Sequence, residues 1–321
     1  MEQELIIPVI TPIKEDGSVD KRSILRLVDF INSNGCDGIF IGGSTGEFAG
    51  MPDTLKLEAI KAFAEVSNGV KFAIGVSDVS YKRIHEFVQM VKKAIPIEKV
   101  SFFVCTLPMY FSIPDKEQVS FFKSVASEIG RPIVLYNIPQ MTNNKYITHD
   151  ALMELRQNEQ IIGLKESSKN FLYYQSIVNN ISSKDFKIYQ GAEEFMAVSK
   201  YVGSSGFVPG IANAIPKTCS QLSKTADLKK ALEIQKVVLS VMEIYKFAPW
   251  IIALKVILKH LGIISSTKSF VYDGVKPNVE KKIINVFEMA IDEYSSLKLW
   301  KNRGHRDRYA YPGKASTFNG S

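Results

Sequence analysis

The stretch 161–168, "IIGLKESS", decides the fold and raises the first question about function. It begins with apolar residues, as a strand does when a parallel sheet buries it on both faces. Lys165 and Glu166 stand where the apolar run ends. A lysine in that place either emerges into solvent or is held at the strand end to react, and the rest of the chain must decide between the two.

Seven similar apolar runs alternate with helical patterns along the chain. Eight strand and helix units in succession predict a (β/α)8 barrel over 1–225. A doubly wound open sheet would alternate in the same way, but its GxGxxG dinucleotide turn has no counterpart here. The eight predicted strands are 4–10, 36–42, 70–76, 99–105, 132–136, 161–165, 186–190 and 205–209.

Three further helical patterns, near 227–246, 249–262 and 277–298, exceed what the outer ring of a barrel needs. We interpret 226–298 as a C-terminal helical extension. The segment 299–321 is polar and without periodicity, which predicts a poorly ordered basic tail. Whether this tail is native or derives from an expression vector is left open by the sequence.

The distribution of charge and hydropathy argues against a nucleic-acid-binding protein and a membrane protein. The formal net charge of the 321 residues is +7, but the chain from Lys298 onward supplies +5 of it, so the body is nearly neutral and no nucleic-acid partner is expected. No apolar run approaches the roughly 18 residues of a membrane span, and the N-terminus lacks the pattern of a signal peptide. We therefore expect a cytoplasmic protein without a membrane partner.

The metal-binding residue types are sparse. Cys36, Cys105 and Cys219 are odd in number, far apart and set among apolar residues, which predicts buried free thiols rather than disulfides or metal ligands. The four histidines do not show metal-ligand spacing. A metal site is not expected.

In a (β/α)8 barrel the active site lies at the carboxyl ends of the strands. The predicted ends carry an amine, two phenols, neighbouring hydroxyls and a glycine-rich turn suited to an anion. These groups lie in "GGSTGEF" (42–48), "TLPMYF" (106–111), "YNIPQMTN" (136–143), Lys165 and "GAEEF" (191–195).

This set of groups predicts Schiff-base chemistry. The amine of Lys165, partly withdrawn from water, could attack a ketone, and the resulting iminium would draw electrons from an adjacent C–C or C–H bond. Tyr136 could carry protons, while Ser44, Thr45 and the amides of the turn could bind a carboxylate. A single strand-end tyrosine or tight turn is commonly structural, so the prediction depends on their joint occurrence.

Three motifs in this order and spacing resemble the dihydrodipicolinate synthase and N-acetylneuraminate lyase family of pyruvate-dependent Schiff-base aldolases. They are "GGSTGE" (42–47), "YNIP" (136–139) and "GLKESS" (163–168). The resemblance covers about residues 4 to 295. It implies a (β/α)8 barrel with three extra helices, a homotetramer built as a dimer of dimers, and no metal or organic cofactor beyond a covalent lysine imine with pyruvate.

By this resemblance, Lys165 forms the imine with the ketone of pyruvate and Tyr136 relays protons. Ser44 and Thr45 match the hydroxyl pair that joins the relay and holds the carboxylate of the 2-oxo acid.

Four further residues follow from the resemblance. Tyr110 matches a phenol that reaches the active site of a neighbouring subunit. Gly43 lies in the carboxylate-binding turn, and Gly191 matches a pocket-lining glycine after the seventh strand. Val208 falls where the family uses a backbone carbonyl near the imine.

The sequence departs from two branches of the family. Synthases that use aspartate semialdehyde have an arginine, which binds a second carboxylate, at the position of Met141. Sialic acid lyases use an Asp-Glu pair and a serine, where this chain has Glu193, Glu194 and Gly210. The predicted pocket thus offers carboxylates for hydroxyls and no nearby cation.

We therefore predict a class I aldolase that cleaves a 2-keto-3-deoxy sugar acid, such as 2-keto-3-deoxygluconate, to pyruvate and an aldehyde. "YNIPQMTN" (136–143) resembles the tyrosine segment of archaeal 2-keto-3-deoxygluconate aldolases. The alternatives within the family are an N-acetylneuraminate lyase, a dihydrodipicolinate synthase and a sugar-acid dehydratase. Outside it, the alternative is an inactive barrel with a regulatory role.

Overall fold

The computed structural model describes residues 3–67 and 69–296. Eight parallel strands close into a barrel in which each strand pairs with its neighbours in chain order and β8 returns to β1. The predicted (β/α)8 barrel is confirmed. The strands are β1 (Glu4–Pro8), β2 (Gly38–Ile41), β3 (Lys71–Gly75), β4 (Phe102–Thr106), β5 (Ile133–Asn137), β6 (Ile161–Glu166), β7 (Lys187–Gln190) and β8 (Gly206–Phe207).

Helices follow every strand, and three more complete the described chain, as predicted. Their bounds are α1 (Lys21–Ser33), α2 (Asp53–Val66), α3 (Tyr81–Ala94), α4 (Gln118–Ile129), α5 (His149–Leu155), α6 (Phe171–Ile181), α7 (Met196–Val202), α8 (Pro216–Lys224), α9 (Leu228–Met242), α10 (Trp250–His260) and α11 (Pro277–Ser296). The predicted basic tail, 299–321, lies outside the described residues.

Side-chain caps explain where several helices begin. Asp20, Ser80 and Thr148 accept a hydrogen bond from the third residue beyond them, at the starts of α1, α3 and α5. Asn170 and Asp227 do the same for α6 and α9. Each cap satisfies a backbone N–H that has no partner inside its helix, so the local sequence fixes these boundaries.

Two separate clusters of apolar side chains form the core. The larger one lies between the sheet and the helices and contains the three cysteines, whose thiols are free and buried as predicted. The smaller one fills the barrel and includes Ile6, Phe40, Val104, Tyr136 and Val208. Because side chains alternate along a strand, residues next to each other on β5 and β6 face different clusters.

A charged cluster closes the barrel at the amino ends of the strands. The carboxylate of Glu4 lies 2.7 Å from the amine of Lys71 and 2.6 Å from that of Lys187. The hydroxyl of Tyr189 donates to the same carboxylate at 2.9 Å. The hydrogen bonds and ion pairs of Glu4 lower its pKa against the opposing effect of burial. This cluster joins β1, β3 and β7 at the end of the barrel opposite Lys165.

None of the helices in the described ranges is by itself long and apolar enough to cross a membrane. The segments Leu228–Lys246 and Trp250–His260 reach the length and apolar composition of a membrane span only when they are taken together. The chain bends by 107° between them.

Candidate active site

Lys165 lies inside the barrel, near the carboxyl end of β6. It is 5% exposed, and its Nζ lies 4.1 Å from the centroid of the Tyr136 ring and 5.0 Å from that of Phe40. None of the ion pairs among the described residues includes this amine. The lysine therefore does not emerge into solvent, and its amine lies over two aromatic rings.

Tyr136 reaches Lys165 because the sheet pairs the two residues directly. On neighbouring strands β5 and β6, Tyr136 is the register partner of Lys165, and both side chains point into the barrel. The sequence predicted that both lie at the active-site end, and the structure brings the amine and the phenol together.

The turn after β2 has a conformation that its glycines allow. Gly42 has a φ of 72°, and a Cβ on Gly43 would lie 2.8 Å from the Phe40 ring. The amides of Gly46 and Glu47 bond to the carbonyls of Gly43 and Ser44. In the part of the chain that the structure describes, the amides of Ser44 and Thr45 donate to no protein acceptor, so they are available to an anion.

A buried ion pair with the C-terminal extension supports this turn. Glu47 adopts a φ of 61° and pairs with Lys255 of α10, and neither side chain is exposed to solvent. The same carboxylate accepts hydrogen bonds from the Ser269 hydroxyl and, at 2.8 Å, from the Phe270 amide. Burial lowers the pKa of Lys255, which the Glu47 carboxylate partly offsets. The C-terminal extension thus supports the turn.

Gly191, after β7, provides space for the side chain of Lys165. A Cβ at this position would lie 2.0 Å from the hydroxyl oxygen of Ser167 and 3.1 Å from Cε of Lys165. Both atoms therefore border the same small volume, and any side chain at 191 would displace them. Ser167 was missed by the sequence analysis, although its spacing of two from Lys165 indicated the same face of the strand.

Three predicted residues meet at one side of the barrel mouth. A Cβ on Gly210 would lie 3.0 Å from Oε1 of Glu193 and 3.3 Å from Oγ1 of Thr45. The Glu193 carboxylate accepts a hydrogen bond from the Ile211 amide at 2.6 Å. Burial raises the pKa of Glu193 to about 7. A carboxyl group close to its midpoint at neutral pH can accept from a substrate hydroxyl or donate to it.

The ion pair of Glu194 corrects the prediction that the pocket has no nearby cation. Its carboxylate lies 2.9 Å from the amine of Lys169, so the mouth of the barrel does contain a cation that the sequence analysis did not count. The two residues are far apart in the chain and meet because they follow the neighbouring strands β6 and β7. The ion pair offsets the charge of Lys169, whose side chain is largely exposed.

The remaining predicted residues lie at different depths. Val208 follows β8 and belongs to the cluster inside the barrel. Met141 lies at the rim and is 37% exposed, and Tyr110 is 73% exposed. The Tyr110 ring packs edge-on against Phe111, with 4.9 Å between their centroids. Tyr110 thus presents its ring outward, where a second chain could contact it.

Metal ligands do not cluster in the described ranges. No group of three or more His, Cys, Asp or Glu residues there could hold a metal ion. Burial raises the pKa of the Cys36 thiol to about 12, so this cysteine is a poor ligand and a poor nucleophile.

Comparison with known proteins identifies the family. The model of the dihydrodipicolinate synthetase family matches residues 1–271. The chain belongs to this family. It is therefore a pyruvate-dependent enzyme of the aldolase and carbon-carbon lyase class, as the three motifs predicted.

Two curated relatives in the family have different names. One, from Pyrococcus horikoshii, is an uncharacterized DapA-like lyase, 28% identical over 76% of this chain and 84% of the relative. Another, from Escherichia coli, bears the name "Probable 2-dehydro-3-deoxy-D-pentonate aldolase"; it is 24% identical over 81% of this chain and 87% of the relative.

A solved structure supports the fold. YagE, a prophage protein of the dihydrodipicolinic acid synthase family from E. coli K12, was crystallised in complex with pyruvate. It aligns with a TM-score of 0.84 and 21% identity over 90% of this chain and 98% of YagE.

Proposed function

We propose that this enzyme is a class I aldolase that cleaves a 2-keto-3-deoxy sugar acid, such as 2-keto-3-deoxygluconate, through an imine at Lys165. The observation that carries the proposal is the buried amine of Lys165, which faces a phenol and forms no ion pair with the described acids. An amine without a counter-ion is free to approach a carbonyl carbon. No metal or organic cofactor is needed for this chemistry.

The reaction begins when the lone pair of the Lys165 amine attacks C2 of the 2-oxo acid. The carbinolamine takes a proton on its hydroxyl, loses water and becomes an iminium, with Tyr136 as the group that transfers the proton. Removal of the proton from the C4 hydroxyl then breaks the C3–C4 bond. The electron pair enters the iminium to form an enamine, the aldehyde leaves, and protonation at C3 followed by hydrolysis releases pyruvate.

The turn after β2 is the proposed site of the substrate carboxylate. Ser44 and Thr45 offer two hydroxyls and two amides, and neutral donors of this kind bind a carboxylate with charge-assisted hydrogen bonds. Gly43 keeps the turn close to the strand end. Ser167, Gly191 and Val208 then border the imine.

Three features of the mouth support a polyol aldehyde as the second product. Met141 supplies no charge at the rim, and the carboxyl of Glu193 suits a hydroxyl. Gly210 leaves open the space between Glu193 and Thr45. A family relative named as a deoxypentonate aldolase is in line with this substrate class. The second candidate is condensation with aspartate semialdehyde, which Lys169 would favour if it separated from Glu194.

Two exposed apolar surfaces support assembly into a homotetramer. One is the aromatic pair formed by Tyr110 and Phe111 at the barrel mouth. The other is the row formed by Leu228, Leu232 and Leu239, which share one exposed side of α9. Two different surfaces are what a dimer of dimers requires. The cytoplasm remains the expected location.

The test is a side-by-side measurement of kcat/KM on one preparation. The three reactions are cleavage of 2-keto-3-deoxygluconate, cleavage of N-acetylneuraminate and condensation of pyruvate with aspartate semialdehyde. We expect the deoxy sugar acid to be favoured by about tenfold or more, because an unpaired buried polar group costs about 1–3 kcal/mol. Faster semialdehyde condensation would refute the proposed substrate, and loss of water without pyruvate release would indicate a dehydratase.

A further inference from the structure

The register between β5 and β6 is irregular just below the proposed active site. Ile133 pairs with Ile161, but Val134 pairs with Gly163, so β6 carries one extra residue at this point. A one-residue slip of a strand turns each of its side chains to the opposite face of the sheet. Without this extra residue, the side chain of Lys165 would point to the opposite face of the sheet from that of Tyr136.

A hydrogen bond behind the sheet lies one residue beyond the catalytic pair. Asn137 follows Tyr136, Glu166 follows Lys165, and the two are themselves register partners. The amide nitrogen of Asn137 donates to Oε1 of Glu166 at 3.2 Å. Both residues are 1% exposed. Lys165 and Tyr136 thus meet inside the barrel, and the next residues on the same two strands, Glu166 and Asn137, meet on the outer face of the sheet.

Each of these two side chains is fixed by further bonds. Oδ1 of Asn137 accepts from the Ile147 amide at 2.9 Å, which sets the orientation of the Asn137 amide group. The Glu166 carboxylate also accepts from the Ser168 amide at 2.6 Å, and the Glu166 carbonyl accepts from Gly191 at 2.7 Å. Because these partners of the carboxylate are donors, they favour its charged form, although burial raises the pKa of Glu166.

We propose that Asn137 and Glu166 are positioning residues, whose hydrogen bond behind the sheet fixes the level at which Lys165 meets Tyr136. The bond joins the last residues of β5 and β6, above the bulge at which their register changes. Glu166 also anchors the turn that carries Ser167, by its carboxylate, and the backbone of Gly191, by its carbonyl. The effect on rate rests on the proposed imine chemistry, whereas the effect on register does not.

The test exchanges the donor and the acceptor. Asn137→Asp places two carboxylates together, and Glu166→Met removes the acceptor oxygen, so each single variant loses the bond. The double variant Asn137→Asp/Glu166→Gln restores a donor opposite an acceptor, because the glutamine amide nitrogen can donate to the aspartate. Glu4→Gln is the matched control, because it makes the change used at Glu166 in the double variant in a carboxylate that joins strands at the opposite end of the barrel.

Two readouts are needed. The first is the rate at which pyruvate and borohydride modify the chain, and the second is amide hydrogen exchange in the peptide that contains 161–168. We expect each single variant to slow trapping by about tenfold or more and to speed exchange. The double variant should regain most of both, and Glu4→Gln should stay within about twofold of the wild type in trapping.

The outcomes separate the inference from the proposed function. If the wild type is never trapped, the imine proposal fails, and exchange in 161–168 still decides the positioning role. If the single variants trap pyruvate and exchange amides as the wild type does, the positioning role is wrong. It is equally wrong if the double variant, folded by circular dichroism, remains as slow as the slower single variant.

Discussion

Lys165 and Tyr136 are register partners on β6 and β5, and the lysine Nζ lies 4.1 Å from the centre of the tyrosine ring. This contact places an amine and a phenol ring next to each other inside the barrel. In the proposed mechanism, the lysine attacks the carbonyl while the tyrosine transfers a proton.

We therefore expect pyruvate and borohydride to add one pyruvate-derived group per chain, on the peptide containing "GLKESS". Tyr136→Phe should keep this label but lower kcat by about 10²-fold or more, because it loses the acid–base group and retains the ring. Lys165→Ala should remain unlabelled. A label on another lysine in peptide mass spectra would overturn the assignment.

The exposed ring of Tyr110 leads to a prediction about assembly. If the phenol acts in a neighbouring subunit, Tyr110→Phe and Lys165→Ala chains are each inactive alone. Mixing them should restore part of the activity, because hybrid dimers contain one site with both groups intact. Native mass spectrometry can verify that hybrids form, and an inactive mixture that contains them would contradict the shared site.

In the proposed pocket, Met141 takes the position at which a charge would meet the second substrate. Met141→Arg should raise kcat/KM for aspartate semialdehyde by about tenfold or more, because a guanidinium binds a carboxylate through two hydrogen bonds. Met141→Gln, similar in length and uncharged, is the matched control and should give little gain. Equal gains in both variants would mean that polarity, not charge, limits this reaction.

Glu193 should make stability depend on pH. Its pKa of about 7 lies above the usual value of 4.5, so the folded protein retains a proton that the unfolded chain releases. Stability should therefore fall as the pH rises from about 4.5 to about 7. Glu193→Gln should reduce this fall by about 2 kcal/mol, after allowance for partial exposure. Urea unfolding of both proteins at pH 5 and pH 8 measures the difference.

The buried ion pair between Glu47 and Lys255 should be costly to break. Lys255→Met leaves the carboxylate without a counter-ion, and we expect a loss of about 3–5 kcal/mol in urea unfolding. Lys246→Met, which removes an exposed ion pair with Glu243, should lose less than about 1 kcal/mol. Adding Glu47→Gln to Lys255→Met should recover stability, and a failure to do so would show that packing dominates at this site.

The fold could be predicted because its signal repeats eight times. Alternating apolar runs and helical patterns are local properties, and helix starts such as Asp20 and Ser80 carry their own capping signal. The inward direction of the Lys165 side chain was harder to predict, because it depends on a bulge in β6. The residues on both sides of the bulge are apolar, so the sequence does not show where the alternation of side chains shifts. The strand assignment was therefore more secure than the register.

The positions of the candidate site residues could be predicted where those residues lie near their own strand ends. Long-range pairs were missed, because nothing in the sequence near Glu194 indicates that Lys169 will meet it, or near Glu47 that Lys255 will. Ser167 was missed for another reason: it lies within a motif that had already been assigned to its lysine. Contacts between residues that meet only when the barrel closes leave no pattern in the sequence around either residue.

The Glu4 cluster has a consequence for how the chain is made on the ribosome. Glu4 and Lys187 are 183 positions apart, and β1 gains its second neighbour only when β8 is available. At about 5–20 residues per second, the first strand waits roughly 10 to 40 s with one edge unpaired. Until β8 is made, this edge of β1 has no partner strand in its own chain, so we expect it to be open to pairing with another growing chain and the seam to close last. We expect the yield of native enzyme to depend on chaperones that shield this edge.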